Sequence, residues 1–274
     1  MASCSVRTLS EATMNSWLFS PRTREVQFDE KWSFVGKKEA NCDLNDPADA
    51  NLGDWWDHIA YDPRNRFVVG VEPGARVGES VEAVVEDFKR RTQGRPMDLI
   101  TSDEHRPYKE AILRAYGVEA TVTPTGRPVR AARKIAPPSL CYAVVHKVRR
   151  LRRVVEVMIR LIYGTIALLS AALSASTVSR AVNVAFLERQ HLTDRHRNAR
   201  KARKTYRFSK SWESHVAATY FTLYSDNFCW PVRTLRVRSS EGAWRQRTPA
   251  MAAGLADHVW SLAEWLKFPS IQPA

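Results

Sequence analysis

The run Glu25-Val26-Gln27-Phe28-Asp29-Glu30-Lys31-Trp32-Ser33-Phe34-Val35-Gly36 places apolar residues at 26, 28, 32 and 34. Side chains two apart in an extended chain share a face. The pattern therefore predicts a strand, central in its sheet, with Asp29 on its polar side and an irregularity around 29–31. Outward from it, residues 37–53 are charged and turn-rich and read as an insertion or hairpin connection. Trp55 to Tyr61 and Arg66 to Val71 are two further strands, joined by a turn at Asp62-Pro63-Arg64-Asn65. Three strands with short connections imply an antiparallel meander.

From Ser80 the period changes. Val81, Val84, Val85 and Phe88 recur at helical spacing, Lys89-Arg90-Arg91 sit where a helix C-terminus tolerates cations, and Gly94 and Pro96 end the helix. Met97 to Thr101 is a short strand that empties into Ser102-Asp103-Glu104, so Asp103 stands at a strand's carboxyl end, where α/β folds expose chemical groups. Residues 104–116 read as a helix and Val118 to Thr123 as a strand. Pro124 to Pro138, with four prolines, reads as an irregular loop. Leu140 to Val148 fits strand or helix equally. Val154 to Ala175 reads as a long apolar helix bent near Gly164. Its core, Leu161 to Leu173, falls short of the ~20 residues that span a bilayer, so a buried helix and no membrane are expected. Residues 186–204 read as a helix on which Glu188, His191 and Arg195 share a face. Trp212 to Tyr224 is an amphipathic helix ended at Asn227 to Pro231, residues 233–248 are basic turns or short strands, and Ala250 to Leu266 is a closing helix. Two helical turns are expected around Ser10 to Phe19, and no internal repeat is evident.

The 274 residues carry a formal charge of +13. With a hydrophobic content of 44%, that describes a folded protein with a polyanionic partner, nucleic acid or an acidic membrane surface. Two blocks hold most of the excess: residues 127–160 have ten Lys/Arg against Glu156, and residues 189–210 have nine against Asp194. They line one groove if the chain folds back, and otherwise form separate solvated faces. Cys4, Cys42, Cys141 and Cys229 contain no CxxC pair, so free thiols are expected rather than a structural zinc site. No secretion signal opens the sequence, and a cytoplasmic, nucleoid-associated location is expected.

Asp29, Asp103 and Glu188 are separated by 74 and 85 residues, so they form a site only if the fold gathers them. Two divalent ions about 3.5–4 Å apart need hard oxygen ligands, which carboxylates supply. Glu30 and Glu104 follow the two aspartates directly, and in a regular strand Glu30 points away from Asp29. His191 and His105 each fit a substrate contact or a plain surface histidine. Trp55 and Trp56 fit a base-stacking surface or the core.

Three blocks resemble the DDE transposases of bacterial insertion sequences, specifically the IS1-like group: Val26 to Glu30; Leu99 to Asp103 with Tyr108; and Phe186 to Arg189 through Asn198-Ala199-Arg200 to Lys210. Tyr224, Asn227-Phe228 and Pro231 extend the resemblance, which covers roughly residues 24–235. It implies a ribonuclease H-like α/β fold, three antiparallel strands followed by parallel strands, flanked by helices. It implies that Asp29, Asp103 and Glu188 are catalytic and hold Mg²⁺ or Mn²⁺ as two ions, and that Arg195 contacts DNA phosphate. Arg197, Arg200, Lys201, Arg203, Lys204 and Lys210 extend that DNA-binding set.

The expected domains are a short N-terminal remnant at 1–23, a catalytic domain at 24–235 with a basic insertion near 124–153, and a C-terminal extension at 236–274. The expected activity is strand cleavage and strand transfer of double-stranded DNA by a homodimer or larger assembly. Relatives of this kind usually carry a DNA-recognition region before the core, which about 23 residues cannot supply, and Ala185-Phe186-Leu187 replaces their usual Thr-Ser-Phe-Val before the glutamate. A truncated or inactive DNA-binding remnant and a structure-selective nuclease are the alternative readings.

Overall fold

The computed structural model describes residues 22–43, 45–122, 128–151, 153–240 and 242–267. The helical turns expected at Ser10 to Phe19, the thiol of Cys4 and the end of the C-terminal extension lie outside the described residues. Strands β1 (Glu25–Val35), β2 (Gly53–Asp62) and β3 (Phe67–Gly74) form the antiparallel meander. Helix α1 (Gly78–Arg91), strand β4 (Leu99–Asp103), helix α2 (Pro107–Tyr116), the ribbon β5 (Val118–Val122) and β6 (Pro128–Ile135), and strands β7 (Tyr142–Arg150) and β8 (Arg153–Tyr163) follow. Helices α3 (Ile166–Ala175), α4 (Ala185–Arg197) and α5 (Trp212–Cys229) come next. The short pair β9 (Val237–Arg238) and β10 (Trp244–Arg245) and the short helices α6 (Pro249–Ala252) and α7 (Leu262–Lys267) complete the chain.

Six strands make one mixed sheet in the order β3-β2-β1-β4-β7-β8, with β4 parallel to both β1 and β7. Helices cover both faces, which makes β1 central and buried on two sides. Of its even residues all but Glu30 are apolar, and Val26 and Phe28 enter the core, where the Phe28 ring lies 5.5 Å from Phe88 of α1 and 5.6 Å from Tyr108 of α2. Burial of such aromatic rings contributes about 1.5–3 kcal/mol each. Its odd residues are polar toward α4 and α5. Gln27 donates to the Asn183 carbonyl at 2.7 Å and accepts from the Leu187 N–H at 3.0 Å, satisfying a free donor at the N-terminus of α4. At the far edge, Asn227 of α5 bonds both the N–H and the carbonyl of Val68, taking the place of a neighbouring strand on β3.

Several expectations are corrected. Residues 154–163 are strand β8, paired antiparallel with β7, and only Ile166–Ala175 is helical. The β-branched run Val154, Val155, Val157 and Ile159 suits a pleated strand, and Gly164 turns the chain at φ +96°, where a Cβ would lie 2.8 Å from the Leu140 carbonyl oxygen. The loop at 124–138 contains strand β6, which pairs with β5 as a ribbon separate from the main sheet. Leu140 to Val148 resolves as strand. The closing helix is two short helices, interrupted where Gly254 adopts φ +76°. Trp260 and Trp265 nonetheless join the main core. Among the described residues, Cys42, Cys141 and Cys229 are free thiols, and no helix is long and apolar enough to cross a membrane.

Beneath α4 lies a buried charge cluster. Lys31 of β1 pairs with Asp194 of α4 and, at 3.0 Å, with Asp57 of β2, and Lys201 pairs with Asp57 at 2.5 Å; all four side chains have no exposure. Lys201 also bonds Thr219 of α5. Burial opposes charge on Lys31, but Asp194 and Asp57 outweigh it and raise its pKa. Burial pushes Lys201 down to about 8 against the pull of Asp57. His215, 3.8 Å from Asp57, is pushed down to about 3 by burial and by Lys201, and is neutral at pH 7. Removing one member leaves a buried charge without its partner. Lys31→Ala should cost roughly 3–5 kcal/mol in urea unfolding, because Asp194 and half of Asp57 lose their counterion; a loss below about 1 kcal/mol would show that the cluster does not hold α4 to the sheet.

Candidate functional site: an acidic cleft at the end of β1 and β4

The last paired residues of β1 and β4 are Phe28 and Ser102, so Asp29 and Asp103 stand next to each other where the parallel ladder ends. Asp29, Glu30 and Asp103 each offer an oxygen within 4.8 Å of the others. Glu30 was expected to point away from Asp29. Consecutive residues do leave a strand on opposite sides, but β4 stops at Asp103, and past its end both acids reach that carboxylate. Arg76, in the turn between β3 and α1, binds Glu30 Oε1 through Nε at 2.8 Å and Nη2 at 2.5 Å. Glu30 Oε2 is buried with no hydrogen-bond partner. Glu188, on the first turns of α4, lines the same cleft, outside that tight group, and is held by Lys147 of β7.

The cleft, about 620 Å³, is lined by both aspartates, Glu30, Glu104 and Glu188, with Arg76, Lys147, Arg149, Arg195 and Arg203 around them. Burial first, then Asp103, Glu30 and Glu188, push the Asp29 carboxyl well above the ordinary carboxylate range. Burial and Asp103 raise Glu30 against the pull of Arg76. Three acids this close cannot all ionise cheaply without a cation among them. His191 is buried with Nδ1 3.5 Å from Asp29 Oδ2, and burial together with Lys31 and Arg195 drives its pKa well below the ordinary value. It is therefore a neutral imidazole packed behind Asp29 rather than a surface histidine. Burial and the same three acids raise the Tyr108 hydroxyl, which lies under the cluster with no partner.

The structure divides the expected DNA-binding residues. Arg195 and Arg203 line the cleft. Arg200, Lys204 and Lys210 are exposed, the last with its ammonium 3.2 Å from the Phe208 ring centroid. Arg197 is turned to Asp226 at 2.6 Å and stacks over Trp230. Lys201 is a correction: it is wholly buried against Asp57 and cannot meet a phosphate. Helix α4 also ends at Arg197 rather than 204, and Asn198 opens a turn-rich segment that folds Lys201 inward. Lys147 and Arg149 were counted in the first basic block without being singled out, and Arg76 gave no signal in the sequence because its partner is 46 residues away. Lys147 and Arg149 from the first block do line one cleft together with Arg195 and Arg203 from the second. Glu104 binds His146 and Arg160, tying the end of β4 to β7 and β8. Trp55 packs against Trp212 with ring centroids 4.0 Å apart and the planes tilted by 32°, a packing contact within the protein.

No protein-family model and no curated protein matches the chain. Among solved structures it is similar to the Mos1 transposase in a paired-end complex with the left transposon end, at 15% sequence identity and a TM-score of 0.21. That match covers 41% of this chain and 40% of the transposase chain, a likeness too slight to carry an argument about either fold or chemistry.

Proposed function

We propose that the chain is a metal-dependent DNA strand transferase of the DDE transposase class, IS1-like, with a ribonuclease H-like catalytic domain at 24–235 flanked by the segments 1–23 and 236–274. One observation carries the reading: Asp29, Asp103 and Glu188, far apart in sequence and on three different elements, line one cleft whose rim is basic. The sheet supports it, with three antiparallel strands joined through β1 to the parallel strands β4 and β7.

The donor set suits a hard divalent cation such as Mg²⁺ or Mn²⁺. It is all carboxylate oxygen, and Glu30 brings a buried oxygen with no other partner to the same point as Asp29 and Asp103. Asp29, Glu30 and Asp103 would hold one ion, and Glu188, with an aspartate, a second. When bound, the ions would ease deprotonation of a water or of a DNA 3′-hydroxyl and offset charge on the leaving oxygen. The residues of the chain do the rest. Arg195, Arg203, Lys147 and Arg149 bind the phosphates and orient the strand across the acids. His191 backs Asp29 as a neutral group, so it adds no positive charge beside the ligands. Lys147 pairs with Glu188 and would give up that carboxylate to a bound cation.

Two experiments test this. On double-stranded DNA carrying the sequences that flank its own reading frame, Mn²⁺- or Mg²⁺-dependent nicking and strand transfer should fall by about 10²–10³-fold in Glu188→Gln, the scale of losing one charge-stabilising group. Equal background from both folded proteins would leave a DNA-binding protein without chemistry, and nicking without joining would leave a nuclease.

The second follows from the raised carboxyls. Asp29 and Glu30 have folded pKa values above their unfolded ones, so without metal their contribution to stability is full at low pH and is lost as pH rises through the folded values. A cation binds the deprotonated form and restores what was lost. The rise in Tm on adding Mn²⁺ should therefore be larger at about pH 8 than at about pH 5.5, and much reduced in Asp103→Asn. A rise that is independent of pH would count against a site built on these carboxyls.

A further inference from the structure

β8 is the last strand of the sheet, eleven residues long, and its outer side has no neighbouring strand among the described residues. Such an edge presents backbone N–H and C=O groups on which another strand can add, and monomeric proteins blunt it with prolines, short length or bulges. β8 has no proline, its bulges at Val155 and Ile162 leave Glu156 to Leu161 in unbroken register with β7, and Val154, Val155, Val157 and Ile159 are 45%, 54%, 57% and 50% exposed. The β7–β8 hairpin also outruns its neighbour: β4 pairs only with Tyr142 to Val145, whereas β7 and β8 stay paired out to Arg150 and Arg153. The first half of β8 thus stands clear of the rest of the sheet.

We propose that β8 pairs antiparallel with β8 of a second copy of this chain, about a two-fold axis at Met158, joining two six-stranded sheets into one. The strand's own sequence selects this occupant and this register. A two-fold axis through an antiparallel pair keeps each face of the sheet on its own side, so residues opposite one another must share parity along the strand. Within the regular stretch Glu156 to Leu161, a centre at Met158 sets Val157 against Ile159 and Glu156 against Arg160. Apolar meets apolar and acid meets base, each pair occurring twice by symmetry. Moving the centre to Val157 sets Glu156 against Met158. Moving it to Ile159 sets Met158 against Arg160. Arg160 already binds Glu104 of its own chain, and its guanidinium, half exposed, has donors to spare for a second carboxylate. The pairing involves none of Asp29, Asp103 and Glu188 and stands whether or not their cleft is catalytic.

Disulfide trapping in the full chain tests it. Residues directly opposite on paired strands have Cβ atoms about 4.5–5.5 Å apart, and only the residue on the axis faces itself. Met158→Cys should therefore give a disulfide-linked dimer under mild oxidation, well above the unaltered protein with its native cysteines. Glu156→Cys and Arg160→Cys, each displaced from its own copy by four residues, should not. In sedimentation equilibrium Glu156→Arg, which places two arginines opposite one another twice in the dimer, should raise the dimer dissociation constant on the order of tenfold. Trapping that is absent at 158, or equal at 156, 158 and 160, would overturn the proposal. So would a Glu156→Arg protein that dimerises as tightly as the original.

Discussion

The central strand β1 is apolar on one side and polar on the other, and the rest of the structure follows from how that polar side is satisfied. Gln27, Asp29, Lys31 and Ser33 point in succession at α4 and α5, and each meets a specific group: the start of α4, His191, Asp194 and His215. A central strand buried on both faces would ordinarily bury apolar side chains on both. Burying four polar ones instead costs desolvation, which only full pairing offsets. The Lys31–Asp57–Lys201–Asp194 cluster supplies that pairing from four elements and carries no net charge. Its effect is registry. α4 can sit on the sheet in one position only, because a shift of one turn would strand Asp194 and Leu187's N–H together.

That registry sets the chemistry. Leu187, His191 and Asp194 are the buried residues of α4, and Glu188 lies just beside that stripe, turned toward the end of β4. Asp29 sits between Gln27 and Lys31 on the same face of β1, so the contacts that fix the helix also fix the carboxylate. The site is thus held by groups that do not belong to it. The acids carry the opposite design: they are crowded until they repel, with Arg76 and Lys147 offsetting only part of the charge. A cluster neutral in itself thus lies next to one left with an excess of negative charge.

Much of this was legible in the sequence where local pattern and physics coincide. The alternation of β1, the 3.6-residue spacing of α1 and the strand emptying into Asp103 all survive, because each is an amphipathic element read by its own period. β8 was lost because its valines and isoleucines are apolar at both parities, a feature of an open hairpin that reads equally as a buried helix. Lys201 was misplaced because nothing in a run of basic residues marks the one that turns inward; its partner Asp57 is 144 residues away. Glu30 illustrates the limit of a correct local rule, since alternation holds within the ladder and ceases to separate two side chains where the neighbouring strand ends.

The same reasoning divides the positive charge. Not all of the formal excess of +13 is free: Lys31 and Lys201 are consumed by the buried cluster, and Arg76, Arg160 and Arg197 each bind an acid of the chain. At the cleft, Lys147 binds Glu188, and Arg149 on β7, Arg195 on α4 and Arg203 after it line the same cavity. An arc of cations on two sides of a carboxylate floor admits a phosphate chain along one line, with its charge met at the rim and the acids below. The cleft thus draws its cations from both of the basic blocks that the sequence shows apart, Lys147 and Arg149 from the first and Arg195 and Arg203 from the second.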